Sequence, residues 1–426
     1  MNKRKVLSAF IFILIIAAIT SVITYVMKDK KSWYYKSEFF NSRTDFDALY
    51  FGASRMHEAV DPIYMWEEHG ISSYNMASAG ESVQMSYYVL AEALEHCNPR
   101  VVFIDAAKIS DSENDINSGY GFVHESIDSL PLNKNKWEAV NYAGSFFDGG
   151  KMAFLSMLYA YHGRYDDLKD EDFKNESNYD KGAYIMTSVF QREKPSVFTS
   201  EEKELKDGDG VRYYKRILDL CKEKGVLCVL TDIPVDASMY TEDRQRHLNA
   251  IISLTERSGG KSIAFNTMLD DTGLDYDHCF GDSGHLNFMG AEKVCDYLAE
   301  YMKTEAGVKD HRDDPAYSEY WNEDVAKWDK QRIETLDDRK DAVEYIFAAA
   351  GNDTDITLYV KNINKLYNEY AMDFCLEKCS IEPVPAEEDI LGGYDMKVEV
   401  RRHSDGTFLS EQYFEYNDQS RLFTAE

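Results

Sequence analysis

Three segments far apart in this chain of 426 residues carry side chains able to do nucleophilic chemistry. The first is Gly52-Ala53-Ser54-Arg55, where a serine follows the apolar run 46–51 almost directly. A hydroxyl just past a buried parallel strand points into the crevice where α/β sheets bind ligands, with its own amide near the next helix. Taken alone the serine suits a helix N-cap as well, and Met56 separates it from a Gly-x-Ser-x-Gly elbow, which needs a second glycine there. The second segment, 75–80, runs from Asn75 to Gly80. A glycine at such a turn lets the backbone approach a substrate and aim an amide at developing negative charge. The third segment places Asp282 three residues before His285, at the entrance of a helix with Val294, Leu298 and Tyr301 at apolar spacing. An acid so placed can hold one imidazole nitrogen from the same turn, leaving the other to take a proton from a hydroxyl. By itself the pair also suits a helix cap and a surface histidine.

These segments need a scaffold, and the hydrophobic pattern supplies one. Strands are expected at 46–51, 72–76, 101–105, 226–233 and 262–265, the third and fourth being continuous apolar runs as in strands covered on both faces. Helices are expected at 85–96, stopped before Pro99, at 211–224, capped by Gly225, and at 246–257 before Gly259-Gly260. Strands alternating with helices imply a doubly wound parallel α/β sheet of five strands. The crossover 108–216 is too long to be bare loop, and helical patterning at 136–161 predicts a helical cap over the strand ends. The character changes after residue 310: a helical stretch bearing Trp321 and Trp328, a helix at 341–350, a strand at 355–360, a helix at 362–379 and a hairpin 396–401/407–416 predict a smaller α+β module over 311–426.

Composition narrows the functional classes. With 44% hydrophobic residues and 8 prolines the chain is neither disordered nor polytopic. Its 76 acidic against 47 basic residues, a formal charge of −29, repel a phosphate backbone, so nucleic acid is not an expected partner. Residues 6–27 carry no charge, proline or glycine, and at ~1.5 Å per residue they reach about 33 Å, enough to cross a bilayer. Basic residues flank the run, and Tyr25-Val26-Met27-Lys28 offers no small-x-small cleavage site, which favours an uncleaved anchor over a signal peptide. The expected order is a cytoplasmic tail 1–5, an anchor 6–27 and a body from residue 28 to 310 outside the cytoplasm, followed by the 311–426 module. Seven scattered cysteines show no zinc spacing; Cys375 and Cys379 would share one helix face.

At this point the chain resembles the SGNH, or GDSL-like, hydrolases, whose blocks match Gly52 to Ser54, Asn75 to Gly80 and Asp282 to His285. The resemblance implies a flavodoxin-like sheet, Ser54 as nucleophile, His285 as general base, Asp282 as its orienter, the amides of Ser54 and Gly80 as oxyanion donors, and no metal or cofactor. The family's Gly-x-Asn-Asp block has no counterpart, since strand three ends in Asp105-Ala106-Ala107-Lys108. A closer likeness over 45–305, including Tyr161-His162-Gly163-Arg164-Tyr165, is to membrane-anchored bacterial surface SGNH proteins that accompany membrane-bound O-acyltransferases and are distant relatives of the D-alanyl-lipoteichoic acid transfer proteins. It implies an esterase or O-acyltransferase acting on acyl esters of cell-envelope glycans or glycopolymers, with a membrane-bound O-acyltransferase as partner. Arg55, Asn75, His162 and Arg164 are candidate cleft residues, although for His162 and Arg164 a role as structural polar residues of the cap is favoured. A catalytically weak scaffold for the acyltransferase is the alternative, and a sugar-binding module a third reading.

Overall fold

The computed structural model describes residues 3–28, 30–174, 179–351 and 353–425, with backbone alone at 3, 31–35 and 171. Residues 1 and 2 of the expected tail, and Asp29, lie outside the described residues. A single helix α1 (Lys3–Met27) is exposed from residue 4 to 23 and meets the body only over its last turn. It is long and apolar enough to cross a membrane. A second helix, α2 (Lys30–Asn41), leads into the body.

The body is built on five parallel strands, β1 (Ala48–Phe51), β2 (Ser73–Asn75), β3 (Val101–Asp105), β4 (Leu227–Asp232) and β5 (Lys261–Ala264), in the order β2-β1-β3-β4-β5. Period-two alternation sorts their side chains between two cores. Ala48, Tyr50, Phe103 and Val229 face one core with Val294 and Leu298 of the Phe288–Glu305 helix. Leu49, Phe51, Ile104 and Leu230 face the other with α5 (Val83–His96) and the Asp209–Lys224 helix, while α3 (Ser54–Ala59) and α4 (Pro62–His69) follow β1. Each terminal signal acts as its chemistry requires: Ser82 caps α5 through Met85 N, and Gly225 ends the 209–224 helix in the left-handed region at φ 71°. Parallel order changes direction at β1, so loops leaving β1 and β3 diverge and open a crevice at the carboxyl ends.

The crossover after β3 is only partly helical. Tyr120–Ile127, Lys134–Ala143, Gly150–Leu155 and Met157–Tyr161 are helices, but 187–208 form an extended strap without regular structure. That strap is bonded to the loops before the Phe288–Glu305 helix: Phe190 N donates to Phe280 O (2.9 Å), and the preceding Met186 accepts from Phe288 N (2.9 Å).

The boundary at 310/311 does not separate the cores. The helix Pro315–Glu334 lies on the body, where Trp321 stacks on Trp66 at 5.2 Å and donates to Ser72 Oγ (3.2 Å). Beyond it a mixed sheet, order β10-β9-β8-β6-β7, comprises β6 (Thr354–Val360), β7 (Val384–Pro385), β8 (Met396–Arg402), β9 (Phe408–Asn417) and β10 (Leu422–Thr424). Its core, with Tyr345, Leu358 and Phe414, is continuous with one face of the parallel sheet. The helix expected at 362–379 is two short ones, Ile363–Leu366 and Met372–Lys378, interrupted where Ala371 takes φ 72°.

Candidate active site

Ser54 begins α3, whose N-cap is Ala53, so the serine hydroxyl is not used as a cap. It meets His285 Nε2 at 2.7 Å, across 231 positions of sequence. His285 Nδ1 lies 2.8 Å and 2.9 Å from the two carboxyl oxygens of Asp282. A carboxylate only accepts, so Nδ1 carries the proton and Nε2 is left bare to accept from the Ser54 hydroxyl. Asp282 is fixed in turn by the amides of Gly284 (2.7 Å) and His285 (3.0 Å). Burial pushes its carboxyl up, but the bonds from His285 and those amides outweigh this and hold it below the ordinary aspartate value. Asn287 starts the next helix by accepting from Gly290 N (3.3 Å), and its amide nitrogen donates to His278 O (2.7 Å) and to Ser188 O (3.1 Å) in the strap.

Gly52 and Gly80 shape the backbone around the serine. Gly52 has φ 148°, and a Cβ there would press on Asp105 at the end of β3. Gly80 has φ 58°, and a side chain would run into the Phe122 ring. Neither the Ser54 nor the Gly80 amide donates to another group among the described residues, whereas the neighbouring Ala79 amide donates to Glu125 Oε1 at 3.0 Å. At the end of β3, Asp105 stands where an asparagine donor was sought; it accepts from Ala107 N (3.2 Å), and burial pushes its carboxyl up to about 6.

Of the candidate cleft residues, Arg55 alone stays beside Ser54. It is partly buried among Asp105, Asp232 and Arg244; burial, then Arg244, lowers its basicity against the pull of the two carboxylates. Asn75 is a correction: fully buried, it donates to Val60 O (2.9 Å) and Met56 O (3.1 Å) and accepts from Ala77 N (3.1 Å). It therefore braces α3 against the 75–80 loop and lines no cleft. Arg164 takes a structural role, its guanidinium capping the end of α1 through Met27 O (2.9 Å) and Lys28 O (2.7 Å) and pairing with Asp172 (3.0 Å), and it also borders a cavity that Ser54 does not line. His162 is exposed nearby, with Nδ1 on Tyr159 O (2.7 Å).

Glu58 was not legible as part of this site. It lies one turn along α3 from Ser54, buried, with Oε2 3.8 Å from His285 Nδ1 and without a hydrogen bond. Burial and then the Asp282 charge push its carboxyl up to about 8. Its spacing of four from Ser54 was the one available signal.

Among the described residues no group of three or more His, Cys, Asp and Glu side chains could hold a metal. A cavity of about 980 Å³ opens between α4, the Pro315–Glu334 helix and the C-terminal sheet, lined by Asp61, Tyr64, Phe288 and Arg332 but by neither Ser54 nor His285. No known protein-family model matches the chain, and no curated protein matches it.

Proposed function

We propose that the protein is a membrane-tethered serine esterase or O-acyltransferase of SGNH type, with a flavodoxin-like body held outside the cytoplasm and acting on acyl esters of cell-envelope glycans. The observation that carries this reading is the unbroken hydrogen-bond chain from Ser54 Oγ through His285 to Asp282, assembled from opposite ends of the body.

In the first half-reaction Ser54 Oγ attacks the ester carbonyl carbon while its proton passes to His285 Nε2. The carbonyl electron pair becomes an oxyanion facing the amides of Ser54 and Gly80. Collapse re-forms the carbonyl, breaks the ester bond and expels the alcohol, which takes the proton back from Nε2. Water or an acceptor hydroxyl then attacks acyl-Ser54 with His285 again as base, releasing the acyl product and free serine. Asp282 stabilises the imidazolium at each step. With Asp105 in the asparagine's place, the hole has two backbone donors, and loss of one such donor typically costs ~10²–10³ in rate, so turnover is expected to be modest. An accessory scaffold, the alternative, would require none of this alignment.

A serine-directed fluorophosphonate should label the wild-type chain at Ser54, and Ser54→Ala should abolish both labelling and release of acetate from a chromogenic ester. Labelling that persists in Ser54→Ala, or wild type inert to both reagents, would overturn the proposal.

A further inference from the structure

Lys36 lies on α2, just beyond the membrane-length helix, and is fully buried. Its ammonium donates to Glu81 Oε2 at 2.5 Å and to Ser78 Oγ at 2.7 Å. Ser78 Oγ donates to the same carboxylate oxygen (2.9 Å), and Ser86 Oγ to the other (2.7 Å). Glu81 is also fully buried.

Residues 78–81 form a turn closed by Glu81 N on Ser78 O (3.2 Å) and tied to the loop leaving β1 by Ser78 N on Gly52 O (3.2 Å). Inside it Ala79 is held by Glu125, and Gly80 stands at positive φ with its amide undonated among the described residues. Lys36 thus grips both ends of the turn that presents Gly80. Stability does not account for this arrangement, because desolvating an ammonium and a carboxylate together offsets most of their attraction and apolar replacements often do as well. A buried ion pair is better explained by what it fixes in register.

We infer that Lys36 is a positioning residue that holds the Ser78–Glu81 turn so that the Gly80 amide faces the same oxygen as the Ser54 amide, making the membrane-proximal helix α2 a wall of the oxyanion site. The inference rests on the acyl-serine reading for its effect on rate, though not for its effect on the turn. It also means that a chain begun at residue 42 would keep Ser54, Asp282 and His285 and lose the clamp.

The test uses the full chain in detergent micelles with Lys36→Met and with Lys36→Met/Glu81→Gln, which leaves no unpaired charge inside. Fluorophosphonate labelling carried to its end point counts folded sites, a small neutral acetyl ester gives kcat and KM, and hydrogen exchange reads the amides of 76–86. We expect full end-point labelling, KM within about twofold, kcat per labelled site lower by about 10–100-fold, and faster exchange at 79–82. The acid limb of the pH profile should not move, because His285 and Asp282 are untouched. A kcat per site within twofold of wild type, with unchanged exchange, overturns the inference. Should the wild-type chain neither label nor turn over, the acyl-serine reading fails, and the exchange arm still decides whether Lys36 holds the turn.

Discussion

Glu58 puts a second carboxyl against His285, and its effect depends on pH in a direction the geometry fixes. Burial holds its proton to about pH 8, so near neutrality it is an uncharged neighbour 3.8 Å from Nδ1. Above that pH it ionises and, on the proposed mechanism, adds a negative charge beside the imidazolium that would form as Ser54 is deprotonated. The wild-type kcat should therefore climb by a few fold through pH 8, and Glu58→Gln should remove that climb while leaving the acid limb in place. Asp282→Asn tests the same pair from the other side. Losing the orienter should lower kcat by about 10²–10⁴, less than His285→Ala, because the acid stabilises the imidazolium without transferring the proton. The residual activity should recover in part as Glu58 ionises and stands in, at a lower pH than in the wild type because the Asp282 charge that raised its carboxyl is gone, and a flat profile in Asp282→Asn would separate Glu58 from the mechanism.

Two elements are held in place by one amide, which makes Asn75 the sharpest test of the scaffold. Its side chain ties the carbonyls of Met56 in α3 and of its C-cap Val60 to the start of the 75–80 loop. Asn75→Ala would leave these groups buried and unpaired, at about 1–3 kcal/mol for an orphaned group, so denaturant unfolding should show a loss of about 2–4 kcal/mol with reduced kcat in the folded fraction. Equal stability of the variant would contradict the brace. What the sequence could reveal follows from where the information sits. β3 and β4 were legible because unbroken apolar runs end at an acid or a proline, and the helices because Pro99 and Gly225 stop them. Ser54, Asp282 and His285 were legible because the order of motifs along the chain matches the order of strand ends. The 187–208 strap was not, since most of its bonds go to segments 42 to 99 positions away and leave no periodicity. Ala371 breaks a helix with a residue type that favours helices, so no local signal marks it. For Arg164 the sequence leaves a cleft role and a structural one both open, because nothing local tells of the helix end it caps.

At the scale of the whole molecule, buried carboxyls and the anchor set how the protein responds to its surroundings. Burial pushes Asp61 up to about 7 and Glu58 and Glu369 up to about 8, whereas the unfolded chain releases such protons near pH 4. Between those limits the folded state binds more protons, so stability is greatest near the lower end and falls as pH rises toward 8. Asp282, Asp275 and Asp310 are held low and oppose this only as pH drops below about 4. The formal charge of −29 acts in the same direction as the buried acids, through self-repulsion that relaxes on acidification. The Tm should peak near pH 5 and be several degrees lower at pH 8.5, and a Tm that rises over that interval would refute the assignment. The anchor adds a geometric constraint. Residues 6–23 are exposed and rise about 27 Å at ~1.5 Å per residue, close to the ~30 Å of hydrocarbon in a bilayer, and the body meets the helix directly afterwards, at 24–28. Arg164 caps that end, and Tyr25 donates to Lys174 O (3.0 Å), so the segment 157–174 must sit at headgroup depth if α1 spans the membrane. Tyr159, Tyr165 and Phe173 there are 50%, 66% and 63% exposed, and aromatic side chains favour that interface. A cysteine replacing Tyr165 should then react with a charged maleimide several-fold more slowly in nanodiscs than in a chain lacking residues 1–23. Equal rates would place the insertion away from the lipid and leave the body free to swing on its tether.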